Sequence, residues 1–269
     1  MIGAIAGDII GSRFEWVYMK SKDFDLFPPK KCFFTDDSVM TIAIAAALAD
    51  WKSDGGELHD HAIRRMQEFG RRFPHAGYGG NFKRWLKSDD PQPYNSWGNG
   101  SAMRVSACGW AANSIEEAVA LSDAVTAVTH DHPEGLKGAA ATSVCIYLAR
   151  TGKTKDEIRQ YLEDHFYRID STLDEIRPAY RFDVSCQGSV PQAMASFFEA
   201  TSLVDAIRNA ISLGGDADTL AAIAGSVAGA YYGVPDEIRM QALQHLDPFL
   251  REAFLGAEHK LKELDDGHA

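Results

Sequence analysis

Carboxylates sit beside threonine hydroxyls at two places far apart in this chain, Phe34-Thr35-Asp36-Asp37-Ser38 and Gly214-Gly215-Asp216-Ala217-Asp218-Thr219. Each group stands at the mouth of an Ala/Ile/Leu/Val-rich segment of helical periodicity. Carboxylate and hydroxyl oxygens are the ligands that hard cations such as Mg²⁺ and Mn²⁺ prefer. If the fold joins the two mouths, four carboxylates and two threonines surround one small volume, and cations are needed to offset that charge. The predicted chemistry is therefore that of a two-metal site. Asp, Thr and Ser are also ordinary N-cap residues that complement a helix dipole. Capping needs one carboxylate per helix, however, and each of these mouths offers two beside a hydroxyl.

Three other stretches carry chemistry. Gly98-Asn99-Gly100-Ser101-Ala102-Met103-Arg104 is a glycine-rich turn opening a helix, which can present backbone N–H groups to a phosphate. It also fits an ordinary turn with Ser101 as N-cap. Arg104 either assists a phosphate or pairs with a core carboxylate. Thr129-His130-Asp131-His132-Pro133-Glu134 precedes a helix that Pro133 starts well. A third soft ligand for zinc is not apparent there, so one histidine is expected to hydrogen-bond within a pocket and the other to face solvent. Glu15, at the end of an apolar segment, reads from its neighbours alone as a solvated helix end.

The elements that must position these groups are helices. From Asp36, Val39, Ile42, Ala43, Ala46 and Ala47 form one stripe while Met40, Ile44 and Leu48 cover the flanks, so the helix is apolar nearly all round and belongs in the core. The segment from Asp218 to Tyr232 behaves alike, and its Ala221, Gly225 and Gly229 form a small-residue ridge suited to close packing. Further helices are expected over 3–14, 57–72, 81–86, 102–112, 115–128, 134–150, 155–164, 191–199, 203–213, 236–244 and 248–255. Alternating β-branched segments are almost absent, which predicts an all-α fold of orthogonally packed helices. Without a linker or charge run, residues 1–269 read as one domain around a central two-metal cleft.

The net charge of −11 excludes a non-specific nucleic-acid binder, which needs a basic face. The four scattered cysteines (Cys32, Cys108, Cys145, Cys186) read as reduced thiols of a cytoplasmic protein. The start, Met1-Ile2-Gly3-Ala4-Ile5-Ala6-Gly7-Asp8, lacks the basic region of a signal peptide, and no apolar stretch is long and charge-free enough to span a bilayer, so a soluble protein is expected.

In chain order, Gly7-Asp8-x-x-Gly11-x-x-x-Glu15, the Thr35-Asp36-Asp37 group, Gly98-Asn99-Gly100-Ser101-x-Met103-Arg104, Thr129-His130-x-His132-Pro133-Glu134 and Gly214-Gly215-Asp216-x-Asp218-Thr219 resemble the ADP-ribosylglycohydrolase family. The resemblance covers nearly the whole chain. It implies an all-α fold with a binuclear Mg²⁺ or Mn²⁺ centre at the base of a cleft. It further implies that Thr35, Asp36, Asp37, Asp216, Asp218 and Thr219 are metal ligands, and that Glu15 is a mobile carboxylate at the metals. The Gly98–Ser101 loop, with Met103 and His130, would hold the substrate, and the long loop after Glu15 would act as a lid. Tyr180 and Phe182 are loose candidates for stacking on adenine. Asn99 cannot serve as a base, which leaves proton transfer to metal-site carboxylates such as Glu15 or Asp36.

The expected activity is hydrolysis of the glycosidic bond between ADP-ribose and a modified acceptor, by default a protein arginine. The expected partners are ADP-ribosylated proteins or small-molecule conjugates, and nucleic acid enters only as an ADP-ribosylated substrate. Two alternatives are a non-catalytic module that binds ADP-ribose or neutralises a transferase, and a dinuclear phosphohydrolase of nucleotide diphosphates.

Overall fold

The computed structural model of the protein describes residues 1–266, with side chains as far as Glu263. Fourteen α-helices run through these residues, with no strand and a single isolated bridge between Gly98 and Ser185. The all-α class expected from the missing β-pattern is the class observed.

Helix α1 (Ile2–Gly11) and helix α12 (Ala217–Tyr232) lie against one another at the centre, and every residue of α1 is buried. The reason is visible in the glycines. A Cβ built on Gly3 would lie 2.3 Å from the Gly225 carbonyl oxygen, one on Gly7 2.1 Å from that of Ala221, and one on Gly11 2.6 Å from the Asp218 Cα. The two backbones meet along the small-residue ridge, and no side chain larger than hydrogen fits on the α1 face. This contact sets the Gly7-Asp8 turn of α1 beside the acidic start of α12.

Helix α2 (Asp36–Asp54) is the second buried rod, buried from Asp37 to Asp50. Thr35 caps it by accepting from the Asp37 amide, and helices α3 (Leu58–Arg72) and α14 (Pro248–Asp266) pack on it. Helix α12 is also covered by α7 (Pro133–Arg150), α10 (Cys186–Phe198) and α11 (Leu203–Ile211). The polar ends of α2 and α12 thus open on one side of an apolar interior, and burying those two long faces fixes where the ends must be.

Several boundaries differ from the periodicity reading. Helix α10 starts at Cys186, capped by Ser185, and carries Pro191 inside it rather than at its start. The segment after Ala102 becomes helical only at Ser106, in α5 (Ser106–Ala111), because the glycine turn closes first as a 3₁₀ turn over Asn99–Ser101. Helix α14 continues past Leu255 to Asp266. The short α9 (Leu173–Ile176) was not expected, although Thr172 and Glu175 form a reciprocal capping box. All four cysteines are free and buried. Among the described residues, no helix is long and apolar enough to cross a membrane.

Candidate active site

The two acidic mouths meet. Asp37 heads α2, Asp218 heads α12, and one carboxylate oxygen from each lies within 4.8 Å of the other and of an Asp8 oxygen. A second group, Glu15, Asp216 and Asp218, has oxygens within the same 4.8 Å span. Asp218 belongs to both groups and so joins them. Thr219 donates to Asp37 at 3.3 Å, and Thr35 lies 3.4 Å from the same Asp37 oxygen. Asp36, at the first turn of α2, is anchored by its amide donating to the Ala76 carbonyl at 2.7 Å.

Asp8, which the sequence places in a Gly7-Asp8-x-x-Gly11 motif and no more, has a structural role. Its carboxylate accepts from the Thr35 amide at 3.0 Å, the Thr35 hydroxyl at 2.7 Å, the Ser38 amide at 3.0 Å and the Ser38 hydroxyl. A carboxylate on α1 thereby closes the N-terminus of α2. The available signal is that Asp8 is the one charged residue in the wholly buried α1. Such a residue needs several donors to be tolerated.

So many buried acids raise one another's proton affinity. Burial, followed by repulsion from Asp8, pushes Asp36 up to about 8. Burial also raises Asp37, Asp216 and Asp218, with Asp8 adding to Asp37 and Asp216 adding to Asp218. Glu15 is brought to about 7 by burial and then by Asp216. Two oxygens in this cluster, Asp37 Oδ1 and Asp218 Oδ1, are buried with no hydrogen-bond partner. Bare buried carboxylate oxygens in an all-oxygen donor set fit hard divalent cations.

These acids form the floor of a cleft of about 570 Å³. Met103, Gly98, Asn99, Gly100 and His130 line one wall, so the sequence-selected substrate residues gather around the acids, with two qualifications. Asn99 donates its side-chain amide to Asp216 at 2.8 Å and to Ser189 at 3.0 Å, and its backbone N–H to Val184 at 2.7 Å. It positions an acid. Ser101 is fully buried and donates to the Gly98 carbonyl at 3.1 Å, which fixes the turn from behind. Arg104 is buried and bonded to Thr129 at 2.6 Å, and among the described residues no core carboxylate forms an ion pair with it. His130 is buried in the wall, while His132 caps α7 by accepting from the Glu134 amide.

The glycines Gly214-Gly215 are close to the chain itself. Gly214, at φ +66°, packs on the Met19 backbone and Gly215 on the Tyr180 ring. That ring and its hydroxyl, which donates to Gly188 at 2.6 Å, are committed to structure, whereas Phe182 lines the cleft and stacks on the exposed Trp16 at 4.7 Å. Phe82 and Tyr94 also line the cleft, aromatics whose local sequence gives no sign of that placement. Beyond Trp16 the loop is tethered, with Lys20 donating to the carbonyls of Arg177, Tyr180 and Leu213.

This geometry has counterparts. The ADP-ribosylhydrolase ARH3 of Homo sapiens is 27% identical over 309 residues, covering 87% of this chain and 84% of its own. That of Xenopus tropicalis is 27% identical over 303 residues, covering 87% and 86%. The solved structure of an ADP-ribosylglycohydrolase-related protein complex superposes with a TM-score of 0.70, covering 98% of this chain and 96% of that one at 21% identity, a likeness of fold. The ADP-ribosylglycohydrolase family model matches residues 1–267, from α1 through the last helix. The acids that converge from α1, α2 and α12 thus lie in a chain that belongs to the ADP-ribosylglycohydrolase family and is an enzyme of that kind.

Proposed function

We propose that this protein is a metal-dependent hydrolase that cleaves the glycosidic bond between ADP-ribose and a modified acceptor, releasing free ADP-ribose. The observation that carries the metal dependence is the pair of partnerless buried oxygens, Asp37 Oδ1 and Asp218 Oδ1, on a floor of crowded acids. Thr35, Asp36, Asp37, Asp216, Asp218 and Thr219 would hold two Mg²⁺ or Mn²⁺ ions, and Asp218 belongs to both carboxylate groups. When bound, such ions offset the carboxylate charge, polarise sugar hydroxyls and acidify water.

The chain's own groups do the rest. Glu15 stands at the edge of the acid cluster and lines the cleft. With cations held beside it, it would be ionised at neutral pH and could orient a water toward the anomeric carbon and accept its proton. The water oxygen bonds to that carbon, the bond to the acceptor atom breaks, and the acceptor departs with a proton. Asp36, partly buried on the same floor, is the second proton-handling group. The Gly98–Gly100 turn, Met103 and His130 hold the rest of the nucleotide. Asn99, an amide, keeps Asp216 in place and takes no proton.

The acceptor we assign first is an arginine side chain. Serine O-glycosides, O-acetyl-ADP-ribose and ADP-ribosylated nucleic-acid ends are the competing acceptors. Metal-stripped protein should be assayed on all four, with and without Mg²⁺ or Mn²⁺. The reading expects free ADP-ribose only when metal is restored. AMP with phosphoribose left on the acceptor would assign a phosphohydrolase instead, and tight ADP-ribose binding without any product would assign a binding module.

A further inference from the structure

Arg104 is among the largest side chains that the fold buries completely, at 1% exposure, and its guanidinium sits 5.8 Å from the centre of the Phe82 ring. Its terminal NH₂ donates to Thr129 Oγ1 at 2.6 Å, and its Nε has no partner. Burying a cation so deeply is unfavourable, and burial brings Arg104 down to about 10. What the site gains from it lies one bond further on.

A guanidinium only donates. Thr129 Oγ1 therefore accepts from Arg104, and its own proton must point elsewhere. His130 Nδ1 is 2.7 Å away, and the Thr126 carbonyl is 3.5 Å away. The short contact takes the proton, so Nδ1 accepts and the ring carries its hydrogen on Nε2. A charged ring would place a second buried cation beside Arg104. Burial, and then Arg104, accordingly push His130 well below the ordinary histidine range.

Nε2 faces the glycine turn. A Cβ built on Gly98 would lie 3.5 Å from it and one on Gly100 3.4 Å. Longer side chains at these positions would cover the nitrogen, whereas glycine leaves it open to the cleft that His130 lines.

We propose that Arg104 and Thr129 form a positioning relay that locks His130 as a neutral Nε2–H donor, aimed at a phosphate or ribose oxygen of the ligand. The identity of that oxygen rests on the ADP-ribose reading, and the tautomer does not.

Two-bond ¹H–¹⁵N spectra of protein labelled at histidine nitrogens read the tautomer directly, with His130→Gln assigning the signal. Wild type should show Nε2 protonated and Nδ1 bare. Thr129→Val removes the hydroxyl at nearly constant volume. It should mix the tautomers and weaken ADP-ribose binding by roughly tenfold to a hundredfold, the range for a hydrogen bond to a charged group. Thr129→Ser should keep both properties near wild type.

A wild-type ring protonated on Nδ1, or on both nitrogens, overturns the relay. So does Thr129→Val with unchanged tautomer or unchanged affinity, and so does failure of Thr129→Ser to preserve them. The wild-type spectrum decides the tautomer even if Thr129→Val does not fold. A wild type that binds no ADP-ribose would overturn the functional reading and leave the tautomer result standing.

Discussion

Thr219 Oγ1 donates to Asp37 Oδ2 at 3.3 Å across 182 positions of sequence. This bond joins the two acidic motifs and lies where α2 and α12 open toward the same cleft. Neither residue is placed by its own segment alone. The close approach of α1 to α12 and the closure of α2 by Asp8 bring the pair together.

Asp218 is the acid common to both clusters, so it is the most informative one to remove. Asp218→Asn should abolish metal uptake, measured by elemental analysis after dialysis. Turnover should fall by more than the roughly 10–100-fold typical of outer-shell changes. Without metal the variant should melt no lower than wild type, because repulsion from Asp216 and Asp37 is relieved. A variant that keeps its metal and its rate would remove Asp218 from the centre.

Glu15→Gln separates proton transfer from binding. It keeps the size of the side chain while removing the proton acceptor. The expected loss in kcat is roughly 10²–10⁴-fold, the range for a general base. Metal content and ADP-ribose affinity should stay near wild type. A near wild-type kcat would make Glu15 structural and leave Asp36 to handle the proton.

Crowded acids make stability depend on pH and metal together. In metal-free protein, Glu15 is raised to about 7 and Asp36 to about 8, and Asp8, Asp37, Asp216 and Asp218 are raised as well. The unfolded chain ionises these groups near pH 4, so between about pH 4 and 8 the folded state holds more protons and loses stability as pH rises. His130 and the Met1 amino group, both lowered by burial, oppose this with fewer groups. Melting temperatures in EDTA should therefore fall from pH 5 to pH 8, and Mn²⁺ should raise them most at pH 8. An Mn²⁺ effect equal at both pH values would contradict the acid cluster as the binding site.

Gly100→Val tests the glycine turn. A Cβ at Gly100 already lies 3.4 Å from His130 Nε2, and the valine methyl groups would cover that nitrogen. ADP-ribose affinity by titration calorimetry should drop at least about tenfold, the equivalent of one lost hydrogen bond. An unchanged affinity in a folded variant would place the ligand elsewhere.

The parts of the fold that sequence reveals are those governed by local pattern. The all-round apolarity of α2 and α12 requires burial, and the Ala221, Gly225 and Gly229 ridge foretells the close contact with α1. Their acidic first turns follow directly. Asp8 is different, because its role depends on Thr35 and Ser38, which reach it only through the packing of α1 and α2. Asn99 reads as a turn residue, and only the tertiary fold aims its amide at Asp216. Pro191 looks like a helix start because its ring suits the first turn, yet Ser185 caps α10 earlier and the helix carries the proline inside it. For Asp8 and Asn99 the cause is sequence separation, since each role belongs to a contact between distant segments, whereas the start of α10 is set locally by its Ser185 cap.

Anomalous scattering from crystals grown with Mn²⁺ would show whether the two acidic motifs hold two cations. Two peaks are expected roughly 3.5–4 Å apart, between Thr35, Asp36 and Asp37 on one side and Asp216, Asp218 and Thr219 on the other, with Asp218 near both. The absence of Mn²⁺ from this floor, in crystals whose protein hydrolyses ADP-ribosylated substrate, would contradict that arrangement.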